Sequence, residues 1–167
     1  MREIKFRAKR IDNGEWVEGG ILHQTDYYGD KVDKYFIIDG TYTVDYDIGE
    51  AFEVDENTVC QYTGLKDKNE KEVYEGDIIK HLFREDTAVI KFGKYHNVFD
   101  SQESYHYGFY VDWQTKNTKN TRKDLGYWIE ILENSNVIGN IFDNPELLDV
   151  DKQASKYADN DVMKPAT

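Results

Sequence analysis

Residues 61–80, QYTGLKDKNEKEVYEGDIIK, gather Tyr62, Gly64, Tyr74, Gly76 and Asp77 into one short segment. Such a segment could bind phosphate, clamp a ligand or turn a β-scaffold. Phosphate cradling is excluded by spacing, because TGLKDK lacks the Gly-x-x-x-x-Gly-Lys-Ser/Thr run that aims successive amides at one anion. A scaffold role fits better. Gly64 follows a strand and suits a positive-φ turn. Gly76-Asp77 precedes Ile78-Ile79, where glycine permits a corner and aspartate caps turn amides. Tyr62 and Tyr74 supply apolar faces whose hydroxyls reach the rim.

Other reactive residues are scattered. His23, His81, His96 and His106 show neither i, i+4 nor His-x-His spacing, and Cys60 has no Cys-x-x-Cys partner. DYDIGE at 45–50 is the nearest approach to a calcium loop and lacks its pattern. Ser101 and Ser104 lack a nucleophile elbow. With 33 acidic residues, any carboxylate pair for glycoside chemistry is uninformative. The expectation is no catalytic residue, no cofactor, no metal and no enzyme. SYHYGFYVDW at 104–113 is the second concentration of aromatics. Together with Tyr62, Tyr74 and Asp77, its Tyr105, Tyr107, Tyr110 and Trp113 form the candidate partner surface.

The elements that position these residues are mainly β. Aromatics make up 14% of the chain, thirteen of them tyrosines, and proline occurs twice, a composition suited to pleated surfaces. IKFRAKR alternates Ile4, Phe6 and Ala8 with Lys5, Arg7 and Lys9, predicting a strand with one wet face. Asp12-Asn13-Gly14 turns it into a second strand from Trp16 to Leu22, within which Gly19-Gly20 marks a bulge or close approach. KYFIID and TYTVDY predict a hairpin about Asp39-Gly40, residues 47–57 a helical turn or loop, and Thr58–Tyr62 a short strand. IIKHLF and TAVIKF follow, then GFYVDW paired with YWIEIL across a mobile loop at 114–126. VIGNIF ends the strands, and Asn144-Pro145-Glu146 starts a helix running to Tyr157, followed by a frayed tail.

The net charge of −12 disfavours generic nucleic-acid binding. Residues 26–56 hold ten acidic side chains against Lys31 and Lys34, a stretch that either solubilises the chain or imitates DNA. Lys116, Lys119, Arg122 and Lys123 form a basic patch beside the second aromatic run, which keeps a nucleic-acid-binding barrel among the readings. No apolar run of membrane-spanning length occurs, the start is charged rather than signal-like, and Cys60 is single, which together predict a cytoplasmic protein.

Three segments, MREIKFRAKR, QYTGLKDKNEKEVYEGDIIK and VIGNIFDNPELL, resemble in order and spacing the YopX family of phage and prophage proteins. The likeness spans residues 1–148. The chain departs at Asn69-Glu70, where the family usually reads Asn-Gly, and at Lys9, where it often has Trp. The resemblance implies a phage-encoded cytoplasmic protein, a mainly β fold with a small barrel-like part, and no established catalytic residues.

The expected architecture is therefore mainly β: a small, partly closed barrel or packed small sheets with a C-terminal helix. Residues 1–148 form the β domain, with sub-parts 1–60 and 61–148, and residues 149–167 the helix end and tail. The expected function is a non-enzymatic module that binds a host or phage protein, with self-association expected from exposed strand edges. A DNA mimic and a nucleic-acid-binding barrel are the alternatives.

Overall fold

The computed structural model describes residues 3–25, 33–40, 49–82, 87–97, 99–101, 104–113, 122–131 and 134–148. Among the described residues, ten strands appear in chain order. They are β1 (Phe6–Lys9), β2 (Trp16–Thr25), β3 (Asp33–Asp39), β4 (Glu50–Val54), β5 (Cys60–Lys66), β6 (Glu72–Tyr74), β7 (Asp77–His81), β8 (Thr87–Tyr95), β9 (His106–Trp113) and β10 (Ser135–Asn140). They make two antiparallel sheets, ordered β4-β3-β2-β1-β5-β6 and β10-β7-β8-β9. Both sheets are open rather than closed into a barrel. The chain divides into two compact units, Met1–Gly64 with Glu72–Glu75, and Leu65–Lys71 with Gly76–Thr167.

In the first unit, the β1–β2 hairpin turns where Gly14 takes φ 74°, and Gly14 N–H donates to Arg10 O. Gly19 lies so close to β3 that a Cβ there would stand 2.1 Å from Ile38 O. Ala8, Ile37 and Val54 form the core, with Phe6, Val17, Ile21, Tyr35 and Val59 packed around them. The opposite face of β1 is not wet as its charges suggest. Arg7 is only 9% exposed, its guanidinium 4.9 Å from the Trp16 ring centre and 4.5 Å from that of Tyr74. A planar guanidinium stacks on rings with little loss of hydration, so alternation of charge does not imply exposure here. Glu50–Val54, expected as loop or helical turn, is strand β4 in register with β3. The expected TYTVDY strand falls on 41–48, outside the described residues.

In the second unit, β7 is buried on both faces, which is why its sequence shows no alternation: Ile78 and Ile79 are both fully enclosed. YWIEIL does not pair with β9. Tyr127–Ile131 is a turn of π-helix, because Leu125, Trp128 and Ile129 bury one helical face at i, i+3, i+4 spacing. The Trp128 indole N–H donates to Arg122 O at 2.7 Å. The partner of β9 is β8. Among the described residues the expected C-terminal helix shows only a 3-10 turn at Pro145–Leu148, docked where the Thr87 hydroxyl donates to Leu147 O. Its expected continuation lies outside the described residues.

The turn after β5 depends on one buried carboxylate. Asp67 Oδ1 accepts from Asn69 N–H at 2.8 Å and Lys71 N–H at 3.0 Å, while Oδ2 accepts from Val137 N–H of β10 at 2.9 Å. Glu70 closes the turn at φ 62°, a left-handed conformation that suits glycine.

Asp67→Asn keeps one acceptor but turns an amide donor toward Val137 N–H, so it should lower the stability read from urea unfolding by roughly 2 kcal/mol. Glu70→Gly should raise the same stability by roughly 0.5–1 kcal/mol, because the strain of an L side chain at positive φ outweighs the added chain entropy. The Lys66–Glu70 pair it removes is 3.9 Å apart and exposed, and adds little.

Candidate partner-binding face

The central block is interior. Tyr62 and Tyr74 are buried with ring centres 5.4 Å apart, and Tyr74 is 1% exposed. Burial, then the hydrogen bond from its hydroxyl to Glu72, pushes the Tyr74 hydroxyl well above its ordinary pKa. Burial also raises Tyr62. Burial disfavours charge on Lys5, but a 2.6 Å bond to Glu72 outweighs it and raises the ammonium pKa. Asp77 is buried at the start of β7, in register with Asn140 of β10. Gly76, at φ 78°, supplies the corner: its N–H donates to Ile90 O and its carbonyl accepts from Ile141 N–H. Trp113 is buried as well, with its ring centre 4.6 Å from that of Trp128. Four of the seven candidate surface residues therefore lie inside, and Tyr105, Tyr107 and Tyr110 carry the outward part.

Those three belong to a ribbon. β7 pairs with β8 from Thr87 to Val89, while β8 pairs with β9 along its whole remaining length, from Ala88↔Trp113 to Tyr95↔His106. Beyond β7 the two strands continue together, and each face of this extension carries aromatics. On one face Phe92 meets Tyr107 and Phe109 edge-on, at 5.4 and 5.0 Å between ring centres. Lys94 Nζ stands 3.8 Å from the Tyr105 ring centre on the same face. Tyr107 is 76% exposed and Phe92 46%. Phe99, in the turn joining the strands, is also exposed. Alternation along β8 puts Phe92 in one row with Ala88 and Ile90. That row is buried only as far as Ile90, and the short span of β7 is what leaves Phe92 outside.

The other face is tied down by polar contacts. Tyr95 stacks on His106 and on Tyr110, with centre separations of 5.1 and 5.3 Å, on the face where Gly93 is in register with Gly108. Lys91 Nζ bonds Asp112 at 2.5 Å. Asp124 accepts from Tyr95 (3.1 Å), the Asn97 amide (3.0 Å) and Arg122 (2.6 Å). Burial raises the Asp124 carboxyl, but the bonds from Arg122, Asn97 and Tyr95 outweigh it and hold the group below its ordinary pKa. Burial and the Asp124 bond push Tyr95 up to about 12. Asp100 is held low by His106, at 2.9 Å.

Among the described residues, no group of three or more His, Cys, Asp and Glu side chains could hold a metal ion. Cys60 is buried, with its thiol donating to Thr58 O at 3.3 Å. A cleft of about 550 Å³ in the first unit is lined by Lys9, Arg10, Lys34, Glu53 and Asp55, among others. Its charges are largely engaged with neighbours: Arg10 with Asp12, Lys34 with Glu53, and Asp55 with the backbone of Asn57. Of the acidic stretch, Asp26, Asp30, Asp45 and Asp47 lie outside the described residues, as do Lys116 and Lys119 of the basic patch.

The family model described as YopX protein matches residues 5–149. The crystal structure of protein EF1440 from Enterococcus faecalis is similar to this chain at 27% identity and a TM-score of 0.47, covering 89% of this chain and 99% of that one. No curated protein matches.

Asp124→Ala removes the acceptor shared by Tyr95, Asn97 and Arg122 and should cost roughly 1–2 kcal/mol at neutral pH. A carboxyl held below its unfolded pKa stabilises above that value and loses its contribution as pH falls through the folded one. The gap between wild type and Asp124→Ala, read by thermal unfolding, should therefore shrink below about pH 4.

Proposed function

We propose that this chain, which belongs to the YopX family, is a non-enzymatic accessory module of a phage or prophage. In this reading it acts in the cytoplasm of the bacterial host by binding a protein through the β8–β9 ribbon. The observation that carries the reading is the row Phe92, Tyr105 and Tyr107, exposed side by side on a ribbon that extends past β7. Apolar area left in water forgoes about 25 cal/mol per Å² of burial. A contiguous aromatic patch of this kind marks an interaction surface more often than a solvated one. Tyrosine and phenylalanine are the side chains that anchor protein interfaces, since they bring large contact area with few rotors to freeze.

Protein is favoured over nucleic acid by charge. The exposed aromatic row has Lys94 beside it, on a chain whose net charge is −12, and backbone phosphates would meet a repulsive field over most of the surface. DNA mimicry by residues 26–56 is less favoured, because three of its described carboxylates serve local structure. Asp33 bonds His23, Glu53 bonds Lys34, and Asp55 caps the 3-10 turn at Glu56–Thr58.

The full chain should capture a discrete protein from a bacterial host lysate. The purified pair should then lose affinity roughly tenfold or more, about 1.4 kcal/mol, on the double change Phe92→Ser, Tyr105→Ser. Unaltered affinity of that pair, with the variant folded by circular dichroism, overturns the reading. So does tight binding of a single-stranded oligonucleotide that the same two changes abolish.

A further inference from the structure

A sheet that is not closed must deal with its edges, because each offers a row of backbone donors and acceptors to another strand. The terminal strands are guarded. β4 carries Glu50 and Glu53, and its Glu53 carbonyl accepts from Ile11 N–H. β6 is three residues long, and β10 gives its Val137 N–H to the Asp67 carboxylate. On β9, Val111 N–H donates to Lys123 O and Tyr110 is bridged by Asp124.

A further edge lies inside the strand order. β2 is ten residues long and changes partner midway. It pairs with β1 only up to Gly19, opposite Phe6, and with β3 only from Gly20, opposite Ile38. The side of β2 that β1 covers is therefore left over at residues 21–25. Backbone direction alternates along a strand, so the hydrogen bonds already placed fix which groups point there. From one end, Arg10 N–H donates to Glu15 O, which turns Glu15, Val17 and Gly19 toward β1 and Ile21, His23 and Thr25 to the same side. From the other, Ile11 N–H donates to Glu53 O and Asp55 N–H to Lys9 O, so Glu53 turns away from β3. Val54 and Phe52 then bond Tyr35 and Ile37, which leaves Lys34, Phe36 and Ile38 to bond Gln24, Leu22 and Gly20. Both routes direct the N–H and C=O of Ile21, His23 and Thr25 outward. Among the described residues none hydrogen-bonds them on that side. Leu22, His23, Gln24 and Thr25 are all exposed, and a Cβ built on Gly20 meets nothing within 4 Å. Residues 20–25 hold no lysine, acid or proline, the devices that usually guard an edge. On a chain of net charge −12, this uncharged run lets two copies approach with little local repulsion.

We propose that two copies of this chain associate by antiparallel pairing of residues 21–25 of β2 with the same residues of the second copy, about a two-fold axis at His23. In that register Ile21 meets Thr25 of the second copy, His23 meets His23, and each such pair exchanges both hydrogen bonds. Leu22 falls opposite Gln24, and the Leu22 side chains of the two copies become diagonal neighbours within reach of each other. The contact covers an apolar side chain that is 47% exposed in the single chain. β3 lies on the side of β2 away from the axis, so the β4-β3-β2 strands of both copies join in one continuous sheet. The pairing uses an edge in the first unit and goes beyond the partner reading, which uses the β8–β9 ribbon of the second.

The test is sedimentation of the full chain over a concentration series. Wild type should pass from monomer to dimer as concentration rises. Thr25→Pro removes an outward N–H that the single chain does not use. It should weaken dimerisation roughly tenfold or more while leaving the fold intact by circular dichroism. A second readout fixes the register. In the double variant Leu22→Cys, Gln24→Cys, the two positions face each other across the axis as a non-hydrogen-bonded pair, with Cα atoms about 4.5 Å apart, a separation that a disulfide spans. In Gln24→Cys alone the two thiols are diagonal neighbours about 7–8 Å apart, too far to bridge. The double variant should therefore oxidise to a covalent dimer much faster than the single one. Buried Cys60 does not compete. A wild type that stays monomeric, a folded Thr25→Pro variant that dimerises as well as wild type, or a double variant that cross-links no faster than Gln24→Cys overturns the proposal. Phe92→Ser, Tyr105→Ser should leave the dimer intact, so the edge and the ribbon face fail separately.

Discussion

Burying a carboxylate is expensive unless its oxygens are occupied, and Asp67 meets that condition with backbone alone. Three N–H groups converge on it, two from its own turn and one from β10, seventy residues away in sequence. The contact does two things at once. It closes the Asp67–Lys71 turn without an apolar anchor, and it occupies the outward donor of β10, an edge strand that would otherwise present it to other chains. The second sheet is thereby fixed at one edge by an internal bond.

The same economy explains the tolerance of Glu70. The turn needs a left-handed residue at position 70 because the N–H groups on either side of it, those of Asn69 and Lys71, must both face inward to the Asp67 carboxylate. With the carboxylate holding both sides of the turn, a non-glycine residue can be kept at φ 62° although the local backbone resists it. This chain keeps at position 70 a conformation that suits glycine, without the glycine. Local preference is overruled by a non-local hydrogen bond, a conflict that no window of sequence displays.

What was legible follows from range. The β1–β2 hairpin could be read because Asp12-Asn13-Gly14 and the alternation of Phe6 and Ala8 are short-range signals, and strand β8 because Ala88 and Ile90 face one core. Arg7 was misread as solvated, since its burial requires Trp16 on the next strand and Tyr74 sixty-seven positions on. Tyr127–Ile131 was misread as a strand because aromatic and β-branched residues suit both states, and the choice was made by Leu125, Trp128 and Ile129 packing together. The candidate surface divided the same way. Composition marks Tyr62, Tyr74 and Tyr107 alike, and only the extent of the neighbouring strand separates a core tyrosine from an exposed one.

That last distinction bears on function. β8 and β9 remain paired for several residues after β7 has ended, and an isolated two-stranded ribbon is marginal in water. This one is held by the stacking of Tyr95 on His106 and Tyr110, and by the Asn97–Asp124–Arg122 bonds near the turn that joins its strands. Polar and stacking contacts are thus concentrated on one face, while Phe92 and Tyr107 remain on the other. A ribbon that served only to finish the sheet could end at Val89, with its apolar side chains covered. Extending it, and stabilising the extension from behind, makes physical sense when the front is occupied for part of the protein's working life. The network around Asp124 is then the support of the site rather than the site itself, and its loss should loosen the ribbon before it disturbs the buried half of the sheet.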